Sequence, residues 1–417
     1  MKTNRMFCRA VFTASALFIA AIAFAPGAWA VKTYPAAVMS HDMEGLPLGF
    51  SMHYLTDKEG KWTIEDVRSE KISAMFAPLG APAPSFGHSG SARWLRLDIY
   101  NNSADRLSGI LEERAPWIDS MDVYILKPAG GYDVRRSGAL VPFSQREIPH
   151  RSFLFRLDFY PQETKTLYIR MESKMAAVAP FTLWRAEGFG RADAGAGYYF
   201  GFLLGALALL IFQALVSGKA HGEDIHYWFA LYLFLGMAHL LAFNGFARMA
   251  LWPDWPRFGQ AAVPLVFLAF QAAGVEFTRR FLRMGAIIHP TDRLLGRMVK
   301  GYAALALISP LGLAFPAVNA APLYAAMLFP LVLAWVCVQR FFDGALAARL
   351  PVLAWLASAI GAWDTCLALL GWTDGGYWGT RGLEAAATLG MTALMVAIMD
   401  RSSYAGAPVE PHMEKEA

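Results

Sequence analysis

Two different hydrophobic patterns divide the chain. Between residues 31 and 190, apolar and polar residues alternate in short runs separated by turn residues, which is typical of β-strands with one buried face. The clearest run covers residues 94–100, where Leu95, Leu97 and Ile99 share one face. Because several short strands with turns between them suggest two packed sheets, we predict a β-sandwich or jelly-roll domain over residues 31–190.

From about residue 191 the alternation gives way to long apolar runs. Each run is close to the roughly 20 residues that a helix needs to cross a 30 Å hydrocarbon core. The predicted spans are 195–217, 226–247, 259–282, 299–317, 322–341, 350–371 and 380–400. We therefore predict a seven-helix membrane domain over residues 191–400, followed by a short disordered tail over residues 401–417.

The first 30 residues read as a signal peptide. Lys2, Arg5 and Arg9 form a basic segment, an uncharged apolar stretch follows, and residues 28–30 (Ala-Trp-Ala) resemble a cleavage site. The alternative is a true first membrane helix, although the apolar stretch is short for one. The signal peptide predicts that residue 31 onward lies outside the cytoplasm of a bacterial cell.

Composition and charge agree with a membrane protein. Hydrophobic residues make up 56% of the chain, charged residues 17%, and the mean hydropathy is +0.35, whereas soluble domains are about 25% charged. Six basic residues fall between residues 279 and 300, a loop that the seven-span arrangement places inside, as the positive-inside rule requires. The net charge of +4 is therefore not read as a nucleic-acid signal. None of the three cysteines lies in the β domain, which predicts no disulfide or zinc site there.

Few residues suggest chemistry within the membrane. The sequence contains no P-loop, no G-x-S-x-G and no H-E-x-x-H, so we predict a non-enzyme without a cofactor or bound metal. Asp364 lies inside the sixth span, Glu384 near the start of the seventh and His239 in the second. Since a carboxylate in hydrocarbon is costly, Asp364 is predicted to face the bundle interior, either in a signalling role or in a static hydrogen bond.

Aromatic residues mark a candidate ligand face on the β domain. Trp94, Arg96 and Tyr100 alternate opposite the apolar face of their strand, and Trp117 and Tyr124 are further candidates. Indole and phenol rings stack on sugars and apolar ligands, but large aromatics also fill sandwich cores. The first interpretation predicts that the indole of Trp94 is exposed and contributes to a saccharide or small-molecule site.

The order of several short phrases resembles one receptor family. The phrases in the β domain are residues 55–67 (LTDKEGKWTIEDV), 94–96 (WLR), 101–103 (NNS), 141–143 (VPF), 151–155 (RSFLF) and 167–170 (LYIR). Those in the membrane half are residues 198–201 (YYFG), Asp224 with Tyr227, and residues 277–282 (FTRRFL). In this order they resemble bacterial seven-transmembrane receptors with diverse intracellular signalling modules, including the second type of extracellular domain in that family.

The resemblance implies a sensor. It implies a jelly-roll domain similar to carbohydrate-binding modules, which would bind a periplasmic ligand, and a seven-helix domain that passes the signal inward. Family members usually continue into an enzymatic output domain, whereas this sequence reaches Ala417 without one. We therefore expect a separate cytoplasmic signalling protein as partner. The alternatives are a transport or envelope-assembly protein with a periplasmic docking domain, and a membrane-embedded enzyme.

Overall fold

A computed structural model describes residues 36–282, 290–313, 315–373 and 377–405. Residues 1–30, predicted as a signal peptide, lie outside these ranges. The predicted tail lies partly inside them, because the last helix continues to Ala405, five residues beyond the predicted end of the membrane domain. The change from strands to long helices falls between Arg185 and Ala186.

The N-terminal half consists of two sheets. The strands are β1 (Ala37–Met39), β2 (Gly45–Pro47), β3 (Met52–Asp57), β4 (Ala77–Pro78), β5 (Ala92–Asn101), β6 (Leu107–Glu113), β7 (Ser120–Leu126), β8 (Tyr132–Ser137), β9 (Phe153–Phe159), β10 (Thr164–Glu172) and β11 (Phe181–Arg185). The first sheet has the order β4-β3-β5-β10-β7-β8, with β1 parallel to β5, and the second has the order β2-β11-β6-β9. All pairs other than β1–β5 are antiparallel.

Apolar side chains from both sheets form one core. Leu95, Leu97 and Ile99 of β5 are at most 1% exposed and belong to the same buried cluster as Phe155 and Phe181 of the second sheet. The alternation along β5 is the cause, since successive side chains of a strand point to opposite faces. The prediction of a β domain built as a sandwich is confirmed.

Two short helices cover the other face of the first sheet. They are α1 (Ile64–Arg68) and α2 (Glu70–Ser73). The Thr63 hydroxyl accepts a hydrogen bond from the backbone N–H of Asp66, and the Asp66 carboxylate accepts one from the backbone N–H of Thr63, so a capping box starts α1. Ile64 and Val67 then pack on the sheet and form a second, smaller core there.

The C-terminal half is helical. Seven helices are long and apolar enough to cross a membrane within the described residues: α3 (Ala186–His221), α4 (Asp224–Phe243), α6 (Pro256–Phe281), α7 (Pro290–Ile308), α8 (Pro316–Phe342), α9 (Arg349–Leu370) and α10 (Tyr377–Ala405). The short helix α5 (Phe246–Ala250) lies between α4 and α6. The predicted seven-helix domain is confirmed.

The fourth span is displaced from its predicted position. We predicted residues 299–317, whereas α7 begins at Pro290 and ends at Ile308, with a 3-10 segment after it. Proline lacks a backbone N–H, which costs nothing in the first helical turn but removes a hydrogen bond in a helix interior. Pro290 therefore fits the start of α7, while Pro310 and Pro316 separate α7 from α8.

The glycines of the spans differ in their surroundings. A Cβ atom at Gly236 would lie 2.6 Å from the Met391 Cε atom, so this glycine permits close packing of α4. Within the described structure, Gly201 and Gly205 of α3 have no atom within 4 Å of such a Cβ apart from the backbone of α3 itself. A role in close helix packing is therefore seen for Gly236 and not for Gly201 or Gly205.

Glu113, at the end of β6, makes stability depend on pH. It is fully buried, and both carboxyl oxygens accept from the Ala115 backbone N–H at 3.0 Å. Burial is the largest effect and raises the pKa of Glu113 well above its usual range. The folded state therefore favours the protonated acid, and its stabilisation is complete below the unfolded pKa and is lost as pH rises through the folded pKa.

We predict that Glu113→Gln stabilises the protein at neutral pH. The amide keeps the shape of the acid without the cost of ionising it, which is about 1.4 kcal/mol for each pH unit between the unfolded and folded pKa values. The thermal midpoint of the native chain should fall as pH rises from 5 to 8, whereas the midpoint of the variant should change less over the same range. Exposed Glu187→Gln is the control, and equal slopes in Glu113→Gln and the native chain would contradict the prediction.

Candidate functional site between the β domain and the helices

The β domain packs against one end of the helix bundle. This is the end where α4, α7 and α9 finish and where α6, α8 and α10 begin. The Trp117 indole stacks on the Phe243 ring at the end of α4, with centroids 4.6 Å apart and planes 18° apart. The Phe143 backbone N–H donates to the Pro253 carbonyl oxygen at 3.0 Å. The two halves therefore share a specific buried interface.

The loop before β5 contacts the end of α9 through a glycine. Gly87 has a φ of +64°, and a Cβ atom there would lie 2.7 Å from the Leu370 carbonyl oxygen. A side chain at this position would meet both backbone strain and a collision. The loop is tied back to the domain because Ala177 N–H donates to the Gly87 carbonyl oxygen at 3.0 Å. This geometry brings the next residue, His88, to the interface.

A buried polar network joins the two halves. Arg248 of α5 donates to the Ala139 carbonyl oxygen in the β domain and, at 3.1 Å, to the Gln260 Oε1 atom of α6. The Gln260 Nε2 atom donates to the Trp117 carbonyl oxygen at 2.6 Å and to Asp119 Oδ1 at 2.7 Å. Arg248, Gln260 and Asp119 are each at most 4% exposed. Such a network is strong only while every member keeps its partners.

The network continues to a third helix. The Asp119 Oδ2 atom accepts from the Lys174 backbone N–H at 2.8 Å. The Lys174 carbonyl oxygen accepts from the Asn319 Nδ2 atom of α8 at 2.9 Å, and the same nitrogen donates to the Gly312 carbonyl oxygen at 3.0 Å. Two loops of the β domain are thus bonded to the α5–α6 region and to the start of α8.

The charges of the network are desolvated. Burial raises the pKa of Asp119, although the Lys174 backbone N–H, the Lys174 charge, Gln260 and Arg248 oppose that rise. Burial also lowers the pKa of Arg248 to about 10, with Asp119 opposing the shift. The guanidinium therefore stays charged at neutral pH, and each charge moderates the cost of burying the other.

A small cavity lies beside this network. Its volume is about 50 Å³, and its walls come from both halves. Trp117, Met175 and His88 line it from the β domain, while His239, Phe267 and residues of three further helices line it from the bundle. Most of the wall is apolar, and no acidic or basic residue other than histidine lies among the residues that line it.

Two histidines of the cavity wall carry unpaired nitrogens. Among the described residues, the Nδ1 atoms of His88 and His239 are buried without a hydrogen-bond partner, and an unsatisfied buried group costs about 1–3 kcal/mol. Burial lowers the pKa of His88 to about 4, so this imidazole is neutral at physiological pH. No group of three His, Cys, Asp or Glu residues is placed to hold a metal ion within the described ranges.

The aromatic face predicted as a ligand site is covered. Trp94 is 0% exposed and packs with Ile64, Val67 and Tyr168 beneath helix α1, so the predicted exposure of its indole is wrong. The strand alternation correctly places Trp94 opposite Leu95, but the covering helices make that face a second core. Saccharide binding by the β domain stays a prediction, without Trp94 as a stacking surface.

The other ligand candidates are dispersed. Tyr124 lies next to Trp94, with ring centroids 5.6 Å apart, and Arg96 lies over the Tyr168 ring. Tyr100 is six residues from Trp94 along β5, about 20 Å at the usual rise per residue, and its hydroxyl bonds Gln162. Trp117 is at the interface with the helices instead. The structure therefore does not bring the five predicted residues into one site.

Two of the three polar residues predicted within the membrane lie near the cavity. His239 is part of its wall. Glu384 is buried, and its Oε1 atom accepts a hydrogen bond from Asn244 at the end of α4. The preceding residue, Leu383, lines the cavity and donates its backbone N–H to the Thr365 hydroxyl at 3.2 Å.

Asp364 is exposed on the surface of the bundle, so the prediction that it faces the interior is wrong. Many of the buried residues of α9 are small, among them Gly361 and Cys366, and the Asp364 carboxylate lies beside Gly382 of α10. Asp364 is also only six residues, or about 9 Å, from the end of α9. The cost of a charge falls towards the membrane surface, which is why exposure is tolerated here. A role in signalling stays a prediction.

Sequence reasoning missed the polar residues of the interface. The sequence pattern gives no role to Arg248, Gln260, Asp119 or His88. One signal was present, because Arg248 and Gln260 stand at the two sides of a short connection between spans. Nothing in the local pattern indicates which strand loops meet them.

Comparison with protein families covers both halves. Residues 49–185 match the family model described as 7TMR-DISM extracellular 2. Residues 196–401 match the model described as 7TM diverse intracellular signalling. No curated protein matches the chain. The boundary between the two matches includes the junction between β11 and α3.

Proposed function

Because the chain belongs to the family of seven-transmembrane receptors with diverse intracellular signalling modules, we propose that it is a sensor of the bacterial inner membrane. In this proposal the β domain lies in the periplasm and responds to a ligand there. The seven helices pass the change to a separate cytoplasmic signalling protein. The chain itself carries no catalytic step.

The buried network between the halves is the observation that carries this proposal. The hydrogen bonds among Arg248, Gln260 and Asp119 hold the β domain and the helices in the observed placement. A rotation that breaks one of them leaves a buried group unpaired at low dielectric, which disfavours such intermediate positions. A ligand that favours another placement would therefore shift α5, α6 and α8 together.

Substitution of Gln260 tests the proposal in cells. Gln260→Leu removes the amide that links the Trp117 carbonyl, Asp119 and Arg248. We propose comparing the transcript profile of cells that lack the chain with those that express the native chain or the variant. Gln260→Leu should match the deletion at normal protein level. The control is Ser144→Ala, which loses an exposed 3.4 Å contact with Asp254 and should match the native chain. A native profile from Gln260→Leu would contradict the proposal.

The orientation in the membrane gives a separate prediction. The end of the bundle opposite the β domain carries Arg279, Arg280, Arg293, Arg297 and Lys300, as expected for a cytoplasmic end. Alkaline phosphatase fused after Ala417 should be inactive, whereas a fluorescent protein fused there should fluoresce. Active phosphatase at that position would overturn the proposed orientation.

A further inference from the structure

The cavity between the β domain and the helices has the chemistry of a ligand site. Its wall combines the rings of Trp117, Phe243 and Phe267 with aliphatic side chains, and it carries no formal charge. An apolar wall favours an apolar body and rejects ions, because a charge would lose its hydration without a compensating partner. Ligand pockets in proteins have this combination of a mainly apolar wall and a few placed polar groups.

The polar groups on the wall define what the ligand must offer. The buried Nδ1 atom of His239 has no hydrogen-bond partner in the described part of the chain, and an unprotonated imidazole nitrogen accepts hydrogen bonds. His88 supplies a second buried Nδ1 atom without a partner there. The Asn319 amide, also on the wall, already donates to the Lys174 and Gly312 carbonyls. In the tautomer protonated at Nε2, both Nδ1 atoms accept, and a ligand that donates a hydrogen bond would pair with them.

We propose that this cavity binds a small uncharged molecule that has an apolar body and a hydroxyl or N–H group donating to His239 or His88. The inference rests on the proposed sensor function and names the ligand class of the same interface. Such a ligand would contact both halves at once. It would satisfy nitrogens that the fold leaves unpaired on opposite sides of the interface.

The size and polarity of the cavity disfavour other occupants. A saccharide presents many hydroxyl groups, whereas the wall offers few polar groups to pair with them, chiefly the two histidine Nδ1 atoms and the Thr365 hydroxyl. The volume of about 50 Å³ is roughly a third of the 150 Å³ in which benzene binds in another protein. A larger apolar body fits only if the β domain moves away from the helices. Such a movement would disturb the hydrogen bonds that Gln260 makes across the interface. An ordered water molecule needs two to four polar partners. The mainly apolar wall has too few polar groups to hold several such molecules.

Two isomers test the need for a donor. We propose titrating 1-butanol and methyl propyl ether against the full-length chain in lipid nanodiscs. The two molecules have the same atoms, but only the alcohol donates a hydrogen bond. The readout is the ¹³C methyl resonance of Met175, which lines the cavity and is assigned by its loss in Met175→Leu. Met75 is 55% exposed on the β domain and serves as the internal control resonance.

The expected result is a saturable shift of the Met175 signal by 1-butanol, with methyl propyl ether at least tenfold weaker. His239→Leu and His88→Leu should each weaken the alcohol at least tenfold, whereas exposed His221→Leu at the opposite end of the bundle should not. Equal binding of the two isomers to the native chain, or a shift that never saturates, would overturn the proposal even if a histidine variant fails to fold. If the alcohol does not bind selectively but Gln260→Leu still loses its output, the cavity site is rejected and the sensor function stands.

Discussion

Arg248→Met is expected to detach the β domain from the helices without unfolding either half. The methionine fills most of the apolar volume of the arginine stem but donates no hydrogen bond. The Ala139 carbonyl oxygen and Gln260 Oε1 then lose their donor in a buried interface. Each unpaired acceptor costs about 1–3 kcal/mol. Asp119 also loses the guanidinium charge that opposes its desolvation.

Hydrogen exchange gives a local measurement of this effect. The Lys174 backbone N–H donates to Asp119 Oδ2, and the Leu140 N–H donates to the Asp119 carbonyl oxygen. Both amides should exchange at least tenfold faster in Arg248→Met, because a loss of about 1.4 kcal/mol changes an opening equilibrium tenfold. Amides in the sandwich core, such as that of Ile169, should keep their rates. Exposed Arg257→Met is the matched control at the same end of the bundle.

The comparison of the variants separates the interface from the fold. If Arg248→Met and Arg257→Met exchange at the same rate at Lys174, the network does not hold the two halves together. The sensor proposal would then lose its coupling element, although family membership would be unaffected. Faster exchange throughout the β domain would instead show that Arg248 stabilises the whole domain.

Periodicity predicted the elements well and their partners poorly. The two faces of β5 follow from alternation alone, and so does the opposition of Leu95 and Trp94. The sequence between residues 64 and 73 shows only a short helical turn, and nothing in it indicates that α1 and α2 lie over Trp94. Whether a polar strand face meets water or a covering helix depends on tertiary packing, which periodicity does not contain.

The membrane half shows the same limit. Length and hydropathy suffice for seven helices, because a lipid environment demands long apolar segments. The side on which a residue lies within the bundle depends on which helix face packs, as Asp364 shows. In α9 the small residue Gly361 lies in close contact with α10, while the Asp364 carboxylate stays on the surface. Polar interface residues such as Gln260 lie at span ends, where polar side chains are ordinary.

Gly361→Ala is expected to disrupt the packing of α9 against α10, although alanine is the better helix former. A Cβ atom at Gly361 would lie 2.4 Å from the Ala386 Cβ atom and 2.5 Å from the Gly382 carbonyl oxygen. Neither obstacle is the end of a flexible side chain, so the two helices must separate. Overpacking of this kind costs about 1–3 kcal/mol and sometimes more. Close approach through small residues is also a main source of helix association in membranes.

Gly201→Ala is the matched control, because it makes the same chemical change in α3, where the described residues place no atom outside the α3 backbone within 4 Å of the new Cβ. Alanine favours a helix over glycine by about 1 kcal/mol, so this variant should keep or slightly raise the thermal midpoint. Gly361→Ala should lower it by about 2–4 °C for each kcal/mol lost. It should also shift the Met175 methyl resonance, since Thr365 and Leu383 carry the α9–α10 contact into the cavity wall. Equal midpoints for the two variants would show that α9 and α10 do not depend on the close approach at Gly361.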